Sequence, residues 1–419
     1  MHFLDHYHIH MHCEQGNNGQ KLFFSEWTHV LKVKVLSTFK NYNLMRNNLI
    51  TIIVIISILS IISACNDKNL SSSKYYMIFD SIEYVEKFPR TYSLENHIDV
   101  DIDVIGYYVF NIVDSLLIFS TTNPEGFWSF VSLSDMTVIG QFLKKGQGPN
   151  EFLFSPSIQT ATNFFKDNGK QYAAIYDSQK AKVYKIDINE TIRRKVLDIS
   201  IMKDSIPPYL MNFVMLEIDC FLCKELYGKY TQQLRYIMKN GLKESSANLE
   251  KLNRAIVENG SNMGYYFNII STMTKFSLEK NLIVEMPVML NYLNLYSINE
   301  NFGKTICIGN KLDNINNIQK QKYPDLVETF FDLRLFKDFW GVVFLNENEL
   351  SLETGRKNLP SIFFFDWKGK PLAELKLNKH LTSFDIDFNT GFLYGLDSIE
   401  EDFFKYDINH ILAGLAIKW

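Results

Sequence analysis

The amino-acid sequence predicts an all-β protein, a six-bladed β-propeller with short helical insertions, and three observations support this class. A pair of apolar strands recurs six times, and several pairs run into turns that contain Gly or Asn. The repeats are spaced by 42 to 66 residues, as expected for blades of four strands around an axis. The 419-residue chain contains 33 Phe and 22 Tyr, which pack well on pleated sheets.

Each predicted repeat consists of an apolar strand, a polar connection and an alternating strand that ends near Asp or Asn. The six pairs are Ser115–Ser120 with Phe130–Asp135, Tyr172–Ser178 with Val183–Asp187, Met215–Cys220 with Leu234–Asn240, Asn281–Val288 with Leu295–Asn299, Trp340–Asn346 with Ile362–Asp366, and Phe392–Asp397 with Phe403–Asp407. Equivalent points in the second strands are Leu133, Ile186, Ile237, Ile298, Phe364 and Tyr406. A further strand is predicted at Val138–Phe142, Lys304–Ile308 and Leu372–Leu377.

Helical patterns are few. Ser246–Glu258 places Leu249, Leu252 and Ile256 on one face, which predicts a helix inserted between the third and fourth repeats. Pro324–Leu333 has proline at its first position and is predicted to be a second short helix. A helical bundle would need many more segments of this kind.

The N-terminal part of the chain is typical of a lipoprotein signal peptide. The apolar run Leu49–Ile62 follows Arg46 and is shorter than the ~20 residues that a membrane span needs. The small residues Ser63 and Ala64 stand directly before Cys65, which is the arrangement of a lipobox. We therefore expect cleavage before Cys65 and lipid attachment to its sulfur.

These signals divide the chain into four parts. Residues 1–44 are interpreted as an upstream extension from a misassigned start, because Met45 is a natural beginning for the signal peptide of residues 45–64. Residues 65–75 are polar and Ser-rich and predict a flexible tether, and residues 76–419 form the propeller. A metal-binding tract is the alternative for the histidine-rich start of the chain, but it would be lost with the signal.

Composition excludes some classes of partner and of stabilisation. Residues 65–419 retain 38 of the 43 basic and 44 of the 47 acidic residues, a formal net charge of −6, so we expect no nucleic-acid partner. Beyond Cys65 this part contains three cysteines, Cys220, Cys223 and Cys307, and this odd number argues against a disulfide framework.

The nonapeptide Lys144-Lys145-Gly146-Gln147-Gly148-Pro149-Asn150-Glu151-Phe152 resembles the signature loop of the six-bladed β-propeller lipoproteins, the TolB-like group. In that family the loop follows an early blade and a lipobox N-terminus. The resemblance spans residues 45–419 and implies a fold and a location in the cell envelope. Because the molecular function of most members is unassigned, it implies no catalytic residue.

Two short motifs have a ligand-binding and a structural interpretation. Gly146-Gln147-Gly148 could cradle a phosphate, but Glu151 stands where a dinucleotide fingerprint needs glycine, and Pro149 lacks a backbone N–H. We expect a turn between blades with Phe152 inserted into the core. Cys220 and Cys223 form a C-x-x-C, but residues three apart on a strand point to opposite faces, so we expect no redox pair.

Acidic residues suggest two candidate sites for a cation. Asp99, Asp101 and Asp103 alternate with apolar residues and could bind Ca²⁺, or they could form the solvated face of an edge strand, which we favour. The stretch that starts at Asp385 lacks the glycine and the acidic last position of a calcium loop, so a hairpin turn at Asn389-Thr390-Gly391 explains it better. We assign no metal ligand and no cofactor, with Ca²⁺ left open.

The predicted function is recognition. The chain is expected to be a lipid-anchored envelope protein of a Gram-negative bacterium whose loops or central funnel bind a protein, peptide or glycan. The alternative is a metal-dependent hydrolase or lyase, with carboxylates and histidines from three or more blades meeting in the funnel. Only His97, His380 and His410 lie in the mature part, and the sequence has no H-E-x-x-H and no G-x-S-x-G. A third possibility is a structural partner in an envelope complex.

Overall fold

Six sheets of four or five strands make up the part of the chain that the computed structural model describes, which is residues 75–227, 232–257, 270–321, 325–348, 351 and 358–415. All of these residues lie in one compact unit, residues 72–419. Neighbouring inner strands contact each other from the second sheet through the sixth, and the sixth inner strand contacts the first. The six-bladed all-β propeller is confirmed.

Blades 1 to 3 follow one another along the chain, and each is an antiparallel sheet in strand order. Blade 1 contains β4 (Tyr107–Val113), β5 (Leu116–Thr121), β6 (Trp128–Ser132) and β7 (Val138–Phe142). Blade 2 contains β8 (Thr162–Asp167), β9 (Lys170–Asp177), β10 (Lys182–Asp187) and β11 (Ile199–Asp204). Blade 3 contains β12 (Asn212–Glu217), β13 (Cys220–Tyr227), β14 (Gln232–Lys239) and β15 (Leu242–Glu244).

Blades 4 to 6 each take their outermost strand from the N-terminal segment. Blade 4 contains β16 (Thr272–Ser277), β17 (Leu282–Pro287), β18 (Tyr292–Tyr296), β19 (Gly303–Ile308) and β1 (Ser81–Val85). Blade 5 contains β20 (Val327–Leu335), β21 (Phe339–Asn348), β22 (Ser361–Asp366), β23 (Pro371–Leu377) and β2 (Thr91–Leu94). Blade 6 contains β24 (Ser383–Asp387), β25 (Phe392–Asp397), β26 (Asp402–Asp407) and β3 (His97–Asp99).

The ring is closed by strand β3, which pairs antiparallel with β26 and supplies the fourth strand of blade 6. Strands β1 and β2 instead pair parallel with β19 and β23, so they are fifth strands on blades that are already complete. The chain just before β1 is also held in place. Tyr292 Oη donates to the Tyr76 carbonyl at 2.6 Å, and Asn294 Nδ2 donates to the Met77 carbonyl at 2.7 Å.

Five of the six predicted pairs correspond to the second and third strands of their blades, although the predicted bounds of the fourth pair are displaced. The exception is Met215–Cys220, which includes the end of β12, the turn Ile218-Asp219 and the first residue of β13. Asp219 adopts a positive φ of 63° in this turn. The turn contains no Gly, Asn or Pro, so the sequence there resembles one continuous strand.

Four short helices occur in the described ranges: α1 (Ile188–Arg194), α2 (Ala247–Asn253), α3 (Ile315–Ile318) and α4 (Asn409–Gly414). Helix α2 confirms the predicted insertion between blades 3 and 4, with Ser246 as its N-cap and Leu249 and Leu252 buried, but it ends before Ile256. The predicted helix at Pro324–Leu333 is wrong, because Val327–Leu335 is the inner strand of blade 5. Its β-branched and aromatic residues favour a strand.

A buried ion cluster joins blades 3 and 4. Glu285 on β17 accepts hydrogen bonds from Lys224 at 2.7 Å, from Arg235 at 2.7 Å and from Tyr296 at 3.0 Å. The side chains of Glu285, Lys224 and Arg235 are inaccessible to solvent. Burial alone would raise the pKa of Glu285, but the positive charges of Arg235 and Lys224 hold it far below its usual value. Burial also lowers the pKa of Lys224 to about 8, although Glu285 opposes this change.

Candidate functional site

The axis of the propeller contains a cavity of about 660 Å³ lined by the inner strands of all six blades. The cavity reaches the ends of these strands, where each chain turns outward into its second strand. Residues at these ends line it in every blade: Asp114, Asp167, Ile218, Leu278, Phe336 and Asn389. Ligand pockets usually have volumes of about 300–1,000 Å³, so the cavity has the size of a ligand site.

Each inner strand contributes one residue to a set that lines the cavity, and we call this set the girdle. The girdle consists of Asn111, Asn163, Met215, Lys275, Arg334 and Asp385, in order from blade 1 to blade 6. Five of the six side chains are polar or charged. Successive side chains of a strand point to opposite faces, so one isolated polar residue in an apolar inner strand is sufficient to build such a ring.

Arg334 is held on all sides. Its Nε donates to Asp332 at 2.8 Å, and its two terminal nitrogens donate to Asn111, to the Phe110 carbonyl at 2.7 Å and to Ser383 Oγ at 2.8 Å. Asp332 in turn accepts from Gln159 Nε2 at 3.1 Å. These contacts connect blade 5 with blades 6 and 1 and with the segment that leads into blade 2, so they fix the guanidinium at the axis.

Asp385 is buried beside this arginine. One carboxylate oxygen accepts from the backbone N–H of Ile112 at 2.8 Å and lies 3.7 Å from Arg334, and the other accepts from the N–H of Ile386 at 2.9 Å. Burial raises the pKa of Asp385 above its ordinary value, although Arg334 and the two backbone donors oppose the change. The two backbone N–H groups and Arg334 hold this carboxylate in a fixed position in the wall of the cavity.

Lys275 differs from the other charged members of the girdle. No acceptor among the described residues lies within hydrogen-bonding distance of its Nζ, and it has no ion-pair partner there. Its enclosure in the channel and the positive charge of Arg334 lower the pKa of Lys275 to about 8, while Asp332 and Asp385 act in the opposite direction. The cavity thus contains an amine that no carboxylate of the protein neutralises directly.

The rim of the cavity is partly apolar. Ile218 and Leu278, in the inner turns of blades 3 and 4, are 65% and 70% exposed. Phe336 and Phe388, in the corresponding turns of blades 5 and 6, pack edge to face with ring centroids 5.4 Å apart. The rim therefore offers apolar surface next to the polar girdle.

The acidic residues that the sequence suggested as cation ligands do not come together in the structure. Asp99 lies on the outermost strand of blade 6 and pairs with Lys379 at 2.9 Å, whereas Asp101 and Asp103 follow in the connection to blade 1. The expectation that all three share a strand is wrong, but the edge-strand interpretation of Asp99 is confirmed. Asp387 accepts from the N–H of Asn389 at 3.0 Å, which confirms the hairpin turn there.

The glycine-rich loop is a connection between blades 1 and 2, as predicted. Phe152 is buried and its ring lies 5.4 Å from that of Tyr184, in the core between these blades. Lys180 donates to the Gly148 carbonyl at 2.8 Å, and Glu151 accepts from the Gly148 N–H at 2.8 Å. The loop is held by contacts within the protein.

The cysteines and histidines do not form a site in the described ranges. Cys220 and Cys223 are buried free thiols that belong to different core clusters, as expected for opposite faces of β13. His97 lies 3.5 Å from Asp99 at the edge of blade 6, away from the girdle. No three His, Cys, Asp or Glu side chains of the described residues are placed to share a metal ion. The ligand set that the hydrolase or lyase hypothesis requires is therefore not formed by these residues.

The proposed lipid-attachment residue, Cys65, lies outside the described residues, and so do the signal peptide, most of the tether and the histidine-rich start. None of the helices in the described ranges has the length and apolar character needed to cross a bilayer.

Sequence reasoning missed Lys275 and Arg334, and it considered Asp385 only as part of a calcium loop. The available signal was a single charge within an otherwise apolar or neutral strand, as in the TMTKFS sequence of β16. Such a charge also occurs on solvated strands, so the pattern alone does not identify an axial residue.

Comparison with known proteins gives a family match. The family model described as TolB-like 6-blade propeller-like matches residues 106–389, from the start of blade 1 to the inner turn of blade 6. No curated protein gives a significant match.

Solved structures of several other proteins are similar to this chain. A member of the DUF4221 family from Bacteroides vulgatus is 11% identical, with a TM-score of 0.47, over 75% of this chain and 96% of that chain. The hydrazine synthase of Kuenenia stuttgartiensis is 12% identical, with a TM-score of 0.41, over 76% and 82% of the two chains. A luciferin-regenerating enzyme is 9% identical, with a TM-score of 0.39, over 74% and 94%.

Proposed function

Because the chain belongs to the TolB-like six-blade propeller-like family, we propose that it is a binding module of the bacterial cell envelope. In this proposal a lipid on Cys65 tethers the propeller to a membrane, facing the periplasm or the outer surface. The central funnel then takes a protein segment, peptide or glycan.

The axial cavity carries the binding part of the proposal. All six blades contribute to one cavity of about 660 Å³ in which polar girdle residues lie next to apolar rim residues. Concave sites with mostly apolar walls and a few fixed polar groups are typical of ligand pockets. The rigid scaffold supports the same function, since the girdle side chains are positioned by sheets rather than by long loops.

The sequence before the propeller supports the anchoring part of the proposal. A basic residue, a short apolar run and Ser63-Ala64-Cys65 form the lipobox pattern, and Asn66–Lys74 is polar enough for a solvated linker. A stretched linker of nine residues reaches ~30 Å, which is sufficient to clear a lipid headgroup layer.

Replacing the proposed lipid-attachment residue is expected to release the protein from membranes. In the Cys65→Ser variant no sulfur is available for acylation, so the protein should move from the membrane pellet to the soluble fraction after salt washing. Fractionation and mass spectrometry of the N-terminal peptide measure both effects, with Cys220→Ser as the control for loss of a cysteine. Unchanged sedimentation of the Cys65→Ser variant would contradict the anchoring proposal.

Crosslinking from the rim tests the binding proposal. A photoreactive phenylalanine analogue at Leu278 should form a discrete crosslinked product in intact cells, because this residue lies at the mouth of the cavity. The same analogue at Val196, which is similarly exposed at 65% but does not line the cavity, should not form that product. Equal patterns from the two positions, or no product from Leu278, would count against a ligand site in the funnel.

A further inference from the structure

We propose that the axial cavity binds an amphipathic carboxylate, whose anionic group pairs with Lys275 and whose apolar part lies against the aromatic residues of the rim. This inference rests on the proposed binding function and names the class of ligand. A free organic acid and the C-terminal residue of a peptide share this chemistry.

Lys275 is the cation that is available for a ligand. Three cationic side chains line the cavity: Lys166, Lys275 and Arg334. Lys166 lies 3.5 Å from Asp114, and Arg334 is occupied by Asp332, Asn111, Ser383 and a backbone carbonyl. Lys275 has no such partner in the described part of the chain. An enclosed ammonium without a counter-ion is costly, and a ligand carboxylate would remove that cost.

Most acidic side chains of the cavity have other hydrogen-bond or ion-pair partners and do not serve as the counter-ion of Lys275. Asp385 accepts two backbone N–H groups, and Asp387 accepts from its own turn. Asp114 pairs with Lys166 at 3.5 Å. Asp167 and Glu217 lie at the ends of their inner strands, where Glu217 is exposed to solvent and its charge is screened by water and salt. These contacts fix the carboxylates but do not cancel their charges, so the feature that favours a ligand anion is local: no carboxylate of the described residues lies within hydrogen-bonding distance of Lys275.

The walls near Lys275 indicate an apolar group beside the carboxylate. Phe276 follows Lys275 on β16, and Leu278 lies in the next turn. Phe336 and Phe388 line the same cavity from blades 5 and 6. Burial of an aromatic or aliphatic group against these rings stabilises the bound state in proportion to the apolar surface that is removed from water. A ligand with only hydroxyl groups next to its carboxylate would not use this surface.

The charge state of Lys275 is compatible with carboxylate binding near neutral pH. Enclosure and Arg334 lower its pKa to about 8, so most of the amine is still protonated at pH 7. Because the neighbouring Arg334 repels it, replacing Lys275 by methionine should leave the fold intact or stabilise it. The variant is thus suited to a binding experiment.

The experiment is isothermal titration of the full-length protein, purified in detergent at pH 7, with N-acetylphenylalanine and with a peptide ending in phenylalanine. The corresponding C-terminal amides are the neutral controls. We expect at least one free acid to bind, its amide to bind at least tenfold more weakly, and Lys275→Met to lose at least tenfold in affinity, in line with a charge-assisted hydrogen bond. Lys275→Arg should retain most of the affinity, and Lys280→Met, which changes a lysine of the same blade that pairs with Glu279 and does not line the cavity, should bind as the wild type does.

Binding by N-acetylphenylalanine identifies a free acid as a sufficient ligand, and binding by the peptide alone identifies a polypeptide C-terminus. Glucuronate is the acidic sugar control, and its Lys275-dependent binding in place of the aromatic acids would overturn the proposal. Equal binding of acids and amides, an unchanged affinity of a well-folded Lys275→Met variant, or no binding of either acid would also overturn it. In each of these cases a rim crosslink at Leu278 would still stand, so failure of this inference is distinguishable from failure of the proposed function.

Discussion

Replacing Glu285 by glutamine is expected to destabilise the protein by about 3–5 kcal/mol, since removing one partner of a buried ion cluster leaves the other charges uncompensated. Glu285 is the shared acceptor of Lys224 and Arg235, and all three side chains are inaccessible to solvent. Glutamine has a similar shape but cannot balance either charge. The two basic residues belong to blade 3 and the acid to blade 4, so the loss should weaken the contact between these blades.

Chemical denaturation measures this effect as a change in the free energy of unfolding. Glu279→Gln is the matched control, because this residue belongs to the same blade but is 56% exposed in its pair with Lys280. Exposed pairs of this kind contribute about 0–1 kcal/mol. If the two variants were equally stable, the buried cluster would not hold the blades together.

Acid titration gives a second readout of Glu285. Its pKa is held well below the ordinary value of 4.5 by Arg235 and Lys224 against the effect of burial. A carboxyl group whose pKa is lower in the folded than in the unfolded protein stabilises the fold fully at a pH above its unfolded-state pKa. This stabilisation is lost as the pH falls from the unfolded-state pKa toward the folded-state pKa. The stability of the wild type should therefore fall below pH 4.5, and Glu285→Gln should lack this part of the decline.

Removing the N-terminal segment is expected to prevent cooperative folding of the propeller. A chain that begins at residue 104 lacks strands β1 to β3, including the strand that completes blade 6. It also lacks the buried side chains of Tyr76, Met77, Phe79, Val85 and Leu94. Each such side chain contributes about 1.5–3 kcal/mol when buried, and together they match the whole ~5–15 kcal/mol stability of a domain.

The control is a chain that begins at residue 72, the first residue of the compact unit, expressed without a leader in the same way. A third chain that begins at Arg90 retains β2 and β3 and should fold with reduced stability. Solubility and thermal unfolding by circular dichroism distinguish the three chains. Cooperative unfolding of the chain from residue 104 at the temperature of the control would show that the ring does not need its closing strand.

The strands that could be predicted from the sequence are those with strong local signals. Blades bury their central strands on both faces, so β5, β9, β22 and β25 are apolar runs bounded by turn residues. The inner strands were harder to predict. Val327–Leu335 follows a proline and contains charged residues, and the turn before Cys220 lacks glycine. At both segments the local sequence preferences favoured the wrong secondary-structure element or boundary, because packing between blades determines which conformation these residues adopt.

The repeated strand pairs, the turn chemistry and the connecting loop with Phe152 were readable in the sequence because each depends on residues close together along the chain. The girdle and the buried cluster of Glu285 depend on residues from different blades. Lys275 and Arg334 are separated by 59 positions and meet only because both inner strands face the axis. Whether each charge is paired or unpaired is a property of that convergence, so only the tertiary structure could separate the occupied arginine from the available lysine.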